Sequence, residues 1–416
     1  MRIAIIGSGI SGLTSAYYLQ KQGHDVFVFE ASDYIGGHTN TVNVSRAGQN
    51  YAIDTGFIVF NHQTYPNFTH LLNELHVDIK NTEMSFSVYD PKLNFQYSGG
   101  SFNGLFADRR NLFNPKFYRL LSEIHRFHRL AKRVLDSMNT VSTLQQFLTQ
   151  HQFHNDLGAL YLYPLISALW SSPGGAIGAM PIYFVAKFFE NHALLKMLPD
   201  ISWKVLKNSS SSYISPLIQA FKERVYVNTA VVNLRRDEQG FSLSHETGQV
   251  GHFDAVVVAT HSDQALRLLD APTALEVEIL SAFSYEDNDV ILHQDETLMP
   301  ASSRAWASWN YRLSPENDAH AILTYNMNKL QGISNSVPFF VSLNAAHLIN
   351  PEKVIRRFSY SHPQYSLASL AAQSRQQELN AQSGIYFCGA YWGFGFHEDG
   401  VNSALAVCRQ LAENHG

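Results

Sequence analysis

Gly7, Gly9 and Gly12 close the apolar run Ile3-Ala4-Ile5-Ile6 with the spacing that lets backbone cradle a pyrophosphate. Gly7 permits a tight turn. Gly9 admits a phosphate with no Cβ in its way. Gly12 lets the following helix pack close to the strand. Free N–H groups at the helix start, at Ile10 and Ser11, then face the anion along a favourable dipole. A second β-type run, Asp25 to Phe29, ends in Glu30, 18 residues past Gly12. A carboxylate there accepts hydrogen bonds from a ribose diol. Strand, glycine turn, helix, strand and acid follow the order of a dinucleotide-binding unit.

Two later stretches carry related chemistry. After Glu30 and Ala31, the run Gly36-Gly37-His38-Thr39 predicts a second close approach of backbone to cofactor, and Ile53-Asp54-Thr55-Gly56-Phe57 ends a short strand in another glycine turn. Near the other end, Gly384 to Gly389 reads as a buried strand. It runs through Ala390, Tyr391 and Trp392 into His397-Glu398-Asp399-Gly400-Val401 and an apolar-faced helix. A glycine-rich loop before a helix again aims N–H groups at an anion. His397 either moves a proton, having an ordinary pKa near about 6.5, or caps its helix against Glu398 or backbone. Glu398 and Asp399 are also the acids that a helix start favours. Trp309, Tyr391 and Trp392 are candidates for aromatic walls, or for core.

Other chemistries are excluded. No GxSxG or GK[ST] motif occurs. His125/His128 and His151/His154 have helical spacing, but no Cys or acid completes a metal set. Surface histidines are expected, with no metal site. Cys388 and Cys408, the only two cysteines, lie in apolar elements, which predicts no disulfide framework and a reducing, cytoplasmic compartment. No leader is expected ahead of the first core strand. A net charge of −5 argues against nucleic-acid binding.

The elements that must position these groups are legible by period. The chain's 416 residues suit two domains. A helix is predicted over 65–75, then strands over 85–89 and 94–97. Residues 115–138 form an amphipathic helix in which Arg119, Arg126, Arg129, Lys132 and Arg133 face only Glu123. That face is either solvated or a peripheral contact with an anionic inner-membrane surface. Residues 159–186 carry no charge, yet prolines and glycines interrupt them too often for one membrane-spanning helix. Buried cap helices, lining an apolar substrate pocket, are expected instead. A polar loop over 207–212 precedes a helix over 216–222. Residues 253–260 read as one buried strand, and 306–311 and 323–328 as aromatic strands.

The fingerprint, Gly36-Gly37 and Thr55-Gly56-Phe57 make the chain resemble the flavin amine oxidase superfamily, which includes phytoene desaturases. Within it, the chain looks most like a bacterial NAD/FAD-binding, amine-oxidase-like subgroup. The segments that carry this are Trp170 to Pro173, Phe188 to His192, Trp306 to Tyr311, Tyr325 to Gly332 and Tyr391 to Gly400. The resemblance implies FAD as cofactor and an α/β fold: a Rossmann-like FAD domain (1–61, 205–271 and 376–416) with an inserted mixed sheet-and-helix substrate domain (62–204 and 272–375). It implies that Val231 meets the adenine, that Ala259 and Thr260 lie beside the cofactor, and that the helix start at Gly389 to Val401 faces the flavin. It implies hydride transfer from a substrate C–H bond to flavin N5. A fatty-acyl or lipid-like substrate follows from that subgroup's association with lipid-modifying partners such as cyclopropane fatty acid synthases. Amine oxidation, a non-redox isomerase and a non-catalytic partner of a lipid-modifying complex remain alternatives.

Three departures stand out. His38 replaces the arginine usual after the glycine pair. Asn208 to Ser212 replaces a glycine pair, with Asn208 the residue best suited to a positive φ. The stretch 281–299 lacks the lysine by which many amine oxidases hold a water at the flavin. It carries Asp287, Asn288, His293 and Asp295 instead.

Overall fold

The computed structural model describes residues 1–416 apart from 47, 138–140, 197–200, 239, 247, 314–321, 335–336, 382–383 and 416. Residue 138, the expected end of the basic helix, therefore lies outside the described residues.

Two sheets organise the molecule. The first has five parallel strands in the order Val225–Tyr226, Asp25–Phe29, Arg2–Ile6, Ala255–Val258, Ile385–Phe387. Ile3, Ile5 and Val257 face one layer of core, and Ala4, Ile6, Val256 and Val258 the other. That two-sided burial accounts for the continuous apolar runs. The second sheet has seven strands: Val354–Gln364, Ser284–His293, Phe340–Leu343, Ile322–Asn326, Trp309–Arg312, Phe86–Asp90 and Phe95–Ser98. The chain is thus mixed α/β, with one parallel and one largely antiparallel sheet.

The predicted helices form over Pro66–Glu74 and Pro115–Ser137. The uncharged stretch breaks into Gly158–Leu162, Tyr163–Trp170, Gly174–Ala179 and Ile182–Asn191. Among the described residues, no helix is long and apolar enough to cross a membrane.

Four local expectations need correcting. The run 253–260 is not one strand. Gly248–Phe253 joins an antiparallel ribbon and Ala255–Val258 the parallel sheet. The break falls at Asp254, whose carboxylate accepts from Arg2 N at 2.7 Å. The aromatic strand begins only at Trp309, after a turn over Ser303–Ala305. The strand expected over 323–328 stops at Asn326, whose side chain caps a helix over Met327–Gln331. The helix after the serine run is Ile214–Ile218, ahead of its expected place.

The serine loop turns at Ser209, not Asn208. Ser209 has φ 92° and ψ 163°, a region that favours glycine. This turn aims Ser210 N at both oxygens of the buried Asp54, at 2.9 and 3.0 Å. Asp54 also accepts from Thr41 Oγ1 at 2.7 Å and Gln331 Nε2 at 3.0 Å, so one carboxylate ties three segments together. Burial pushes its pKa up to about 6 against the pull of those hydrogen bonds. A residue in that backbone region carries roughly 1–3 kcal/mol of strain, partly offset in glycine by about 0.5–1 kcal/mol of extra unfolded-state entropy. Ser209→Gly is therefore expected to raise the melting temperature by about 1–2 °C. A calorimetric scan showing a fall would mean that the Ser209–Ser211 hydroxyl contact outweighs the strain.

Candidate active site

The predicted loops meet beyond the carboxyl ends of the parallel strands, where open α/β sheets bind ligands. Gly9 caps the first helix, Ile10–Lys21, and a Cβ there would have no heavy atom within 4 Å. Open space therefore lies in front of that helix start. Gly37, with φ 58°, closes on it from the second loop, where its Cβ would stand 3.1 Å from Gly9 Cα. Ser8 donates to Glu30 Oε2 through N and Oγ, at 2.8 and 2.6 Å. Ser32 N donates to Glu30 Oε1 at 2.8 Å. The carboxylate is thus aimed, with lone pairs left for a diol. Ala31 is exposed beside it, and Val231 opens the strand Val231–Asp237. Ala259 N donates to Ile6 O at 2.8 Å, and Thr260 Oγ1 to His261 O at 3.1 Å.

His38 is half-buried, and its Nε2, which is fully buried, has no partner. Its ring lies 4.9 Å from Tyr360, 5.4 Å from His362 and 6.4 Å from His261. Burial, reinforced by those histidines, holds its pKa well below the ordinary value, so the ring is neutral. A neutral imidazole still donates one N–H to an anion. Phe57 N donates to His38 O at 2.8 Å, while an added Cβ on Gly56 would collide with that same oxygen. Thr55 Oγ1 donates to Asn40 O at 3.1 Å.

The last helix, His397–His415, brings the second glycine-rich loop to the same place. A Cβ on Gly400 would sit 2.7 Å from an Ile10 methyl and 2.8 Å from Ser11 Oγ. Gly389 N donates to Ser403 Oγ at 3.1 Å, Ala390 opens the turn Ala390–Trp392, and Val401 is buried. His397 Nε2 lies 3.0 Å from Thr39 Oγ1, which in turn bonds Tyr213 Oη at 2.6 Å. The His397 ring stacks on Phe57 at 3.5 Å. Burial pushes its pKa down to about 3, so it is neutral at working pH and its partner is a hydroxyl, not Glu398. Glu398 accepts from Asn67 N at 3.0 Å and Phe68 N at 2.8 Å, capping the helix Pro66–Glu74. Asp399 accepts from Phe396 N at 2.9 Å, and burial pushes it up to about 7.

Trp309 and Tyr391 are not brought together. Trp309 packs edge-on to Tyr325 at 5.2 Å, with its Nε1 buried and unpartnered. Tyr391 packs on Phe283 and Trp392, each at 5.0 Å, in a different core cluster. The sequence reading missed His261, His362 and Tyr360. Tyr360 and His362 share one face of the strand Val354–Gln364, an alternation that could have flagged them. The expected cap helices pack on the second glycine-rich loop. Trp170 Nε1 donates to Phe394 O at 2.8 Å, Phe184 lies 4.8 Å from Phe394, and Phe188 lies 5.0 Å from Phe396. A cavity of about 420 Å³ opens alongside, between Gln63, Asn67, His192, Phe396 and Asn402. Among the described residues, no His, Cys, Asp and Glu cluster could hold a metal ion.

Space before Gly9, an orphaned buried imidazole nitrogen and a fixed ribose-type acid fit a dinucleotide. Fold and site together define a dinucleotide-binding α/β protein whose second sheet and helices cap the cofactor loops. A match to the family described as flavin containing amine oxidoreductase covers residues 10–290, so the chain belongs to that FAD-binding family. Coproporphyrinogen III oxidase from Staphylococcus aureus is 23% identical over 62% of this chain and 60% of its own length. The 1-hydroxycarotenoid 3,4-desaturase of a Flavobacterium strain is 38% identical over 22% of this chain and 17% of its own length. The chain thus spans less than two thirds of these relatives. Cyclohexylamine oxidase from Brevibacterium oxydans shares the fold with a TM-score of 0.71 at 14% identity, covering 99% of each chain. A CLA-producing fatty acid isomerase from P. acnes shares it with a TM-score of 0.71 at 13% identity, covering 100% of this chain and 99% of that one.

A Cβ at Gly9 meets no heavy atom within 4 Å, so Gly9→Val should fold and melt as the FAD-free wild type does while failing to load FAD. Flavin retained at wild-type stoichiometry would refute the site. Asp399 offers a second test. Its folded pKa of about 7 exceeds the unfolded value, so folding favours the protonated form. Its contribution is full below about pH 4 and is lost as pH rises through about 7. The gap in melting temperature between wild type and Asp399→Asn should therefore shift between about pH 5 and about pH 8. A constant gap would show that Asp399 does not titrate there.

Proposed function

We propose that this protein is an FAD-dependent oxidoreductase that takes a hydride from a C–H bond of a long apolar, acyl- or lipid-like substrate. The observation that carries the reading is the wall above the last glycine-rich loop, which is aromatic and uncharged. Phe184, Phe188, Phe394 and Phe396 form it, and Trp170 clamps the loop to the cap through Phe394 O. FAD, when bound, supplies the hydride acceptor.

The chain's own residues bind, orient and exclude water. Gly9, Gly37 and His38 leave room and one N–H for the diphosphate, and Glu30 stands ready for the ribose. The rings keep the reacting carbon dry, which favours hydride departure over side reactions with water. His397 is neutral and holds Thr39, so it fixes the loop and carries no charge into the site. Glu398 and Asp399 are the acids beside this wall, and both accept from backbone amides. The relative named for a carotenoid, 38% identical over 22% of this chain, supports an apolar substrate.

The test is an anaerobic visible spectrum of the loaded protein, titrated with membrane lipid extract and separately with an amine panel. Bleaching of the flavin by lipid and not by amines is expected. Bleaching by an amine alone would replace this reading with amine oxidation. Turnover of a lipid without net oxidation would replace it with an isomerase.

A further inference from the structure

Among the described residues, ten large apolar side chains are exposed, and four of them crowd one corner. They are Leu93 at 72%, Phe102 at 71%, Phe113 at 89% and Tyr118 at 47% exposure. Leu93 lies in the turn of the outermost hairpin of the seven-stranded sheet, between Phe86–Asp90 and Phe95–Ser98. Arg110 Nη2 donates to Asn94 O at 2.9 Å, tying that turn to the short 3₁₀ helix Arg109–Phe113. Phe102 packs on Phe106 at 4.8 Å, and Phe106 lies 6.3 Å from Tyr118. Tyr118 Oη donates to Leu112 O at 3.0 Å, beside Phe113. The four side chains therefore belong to one continuous surface.

We propose that this corner, tipped by Leu93, Phe102, Phe113 and Tyr118, docks the protein on an anionic lipid surface. The charge around it selects that partner. Lys92, Arg109, Arg110, Lys116 and Arg119 are all exposed; Arg110 pairs with Asp108, Arg119 with Asp156, and Asp90 accepts from Lys92 N in the hairpin turn, so cations still outnumber acids there. The chain as a whole carries −5, so the corner is positive against an acidic background. Aromatic tips ringed by lysine and arginine suit a lipid interface, where rings enter the acyl boundary and cations meet headgroup phosphates.

The basic helix meets the surface only through its first turn. Further along, Arg126 pairs with Glu123 and stacks over Phe153 at 4.0 Å. Arg129, Lys132 and Arg133 are exposed there, but among the described residues of that helix no large apolar side chain beyond Tyr118 is exposed beside them. Beneath the corner, Phe106, Phe117 and Leu120 pack against Leu160 and Tyr161, and Tyr97 Oη donates to Leu160 O at 2.6 Å. The docked corner thus rests directly on the start of the uncharged cap helices. Docking needs only these side chains and stands apart from the redox reading.

The experiment is co-sedimentation of the flavin-loaded full chain with vesicles, either of phosphatidylglycerol with phosphatidylcholine or of phosphatidylcholine alone. Binding to the anionic vesicles, weakening with salt, is expected. The double variant Phe102→Ser/Phe113→Ser should bind at least about tenfold more weakly, with its far-ultraviolet circular dichroism and flavin content unchanged. Failure of the wild type to bind anionic vesicles would overturn the proposal, as would equal binding by the double variant. A wild-type dimer in sedimentation velocity that the double variant dissolves, without lipid binding, would assign the corner to a second copy instead. A variant with altered circular dichroism is replaced by Lys116→Gln/Arg119→Gln, for which the same loss of vesicle binding is required.

Discussion

The close approach of two helix starts is the constraint on which the site depends. The first helix can begin only where Gly12 lets it lie against the Gly7 turn, and the last helix only where Gly400 lets it lie against Ile10 and Ser11. Each helix start brings unsatisfied N–H groups and a positive dipole end. Side by side they form a local positive field built from backbone alone. No lysine or arginine is needed in the interior to produce it. A side chain at Gly12 or Gly400 would spread the two helices, and the loops that carry Gly37, His38 and Phe57 would lose their seat.

The surroundings are consistent with a field made this way. Three histidines around the site are neutral, and two buried carboxylates, Asp54 and Asp399, are drawn toward protonation. Desolvation holds His38, His362 and His397 below their ordinary range, and it pushes Asp54 and Asp399 above theirs. Low-dielectric interiors disfavour isolated charge. The charge that remains is held by many donors at once. Glu30 is fixed by Ser8 and Ser32, Glu398 by Asn67 and Phe68. Such a site is preorganised for an anionic cofactor and an uncharged reactant.

Much of this was legible in the sequence because the relevant signals are local. The parallel strands announce themselves as unbroken apolar runs, and the glycine fingerprint constrains a turn that spans only a few residues. The basic helix is legible from its 3.6-residue period. What was not legible depends on partners far away in the chain. Asp254 splits an apolar run because Arg2 lies opposite it. Ser209 takes a glycine conformation because Asp54 accepts from the next amide. His261 and His362 join His38 through packing between the parallel sheet and the larger one, which no local period encodes. Trp309 and Tyr391 were grouped by residue type, and the fold places them in separate cores. The local rules describe elements well and describe their junctions poorly.

The order in which the site is strung along the chain has a consequence for its assembly. Gly9 and Gly37 are translated well before Gly400 and the strand Ile385–Phe387. A ribosome-bound chain therefore displays the dinucleotide loop long before the helix that completes it exists. Until then the edge of Ala255–Val258 lacks its neighbour, and the open strand is available for pairing with other chains. Cofactor capture becomes a late event that seals this edge indirectly, by favouring the arrangement in which the last helix is docked. Flavin supply during synthesis should then govern how much of the protein escapes aggregation, a matter of yield in the cell and not of turnover.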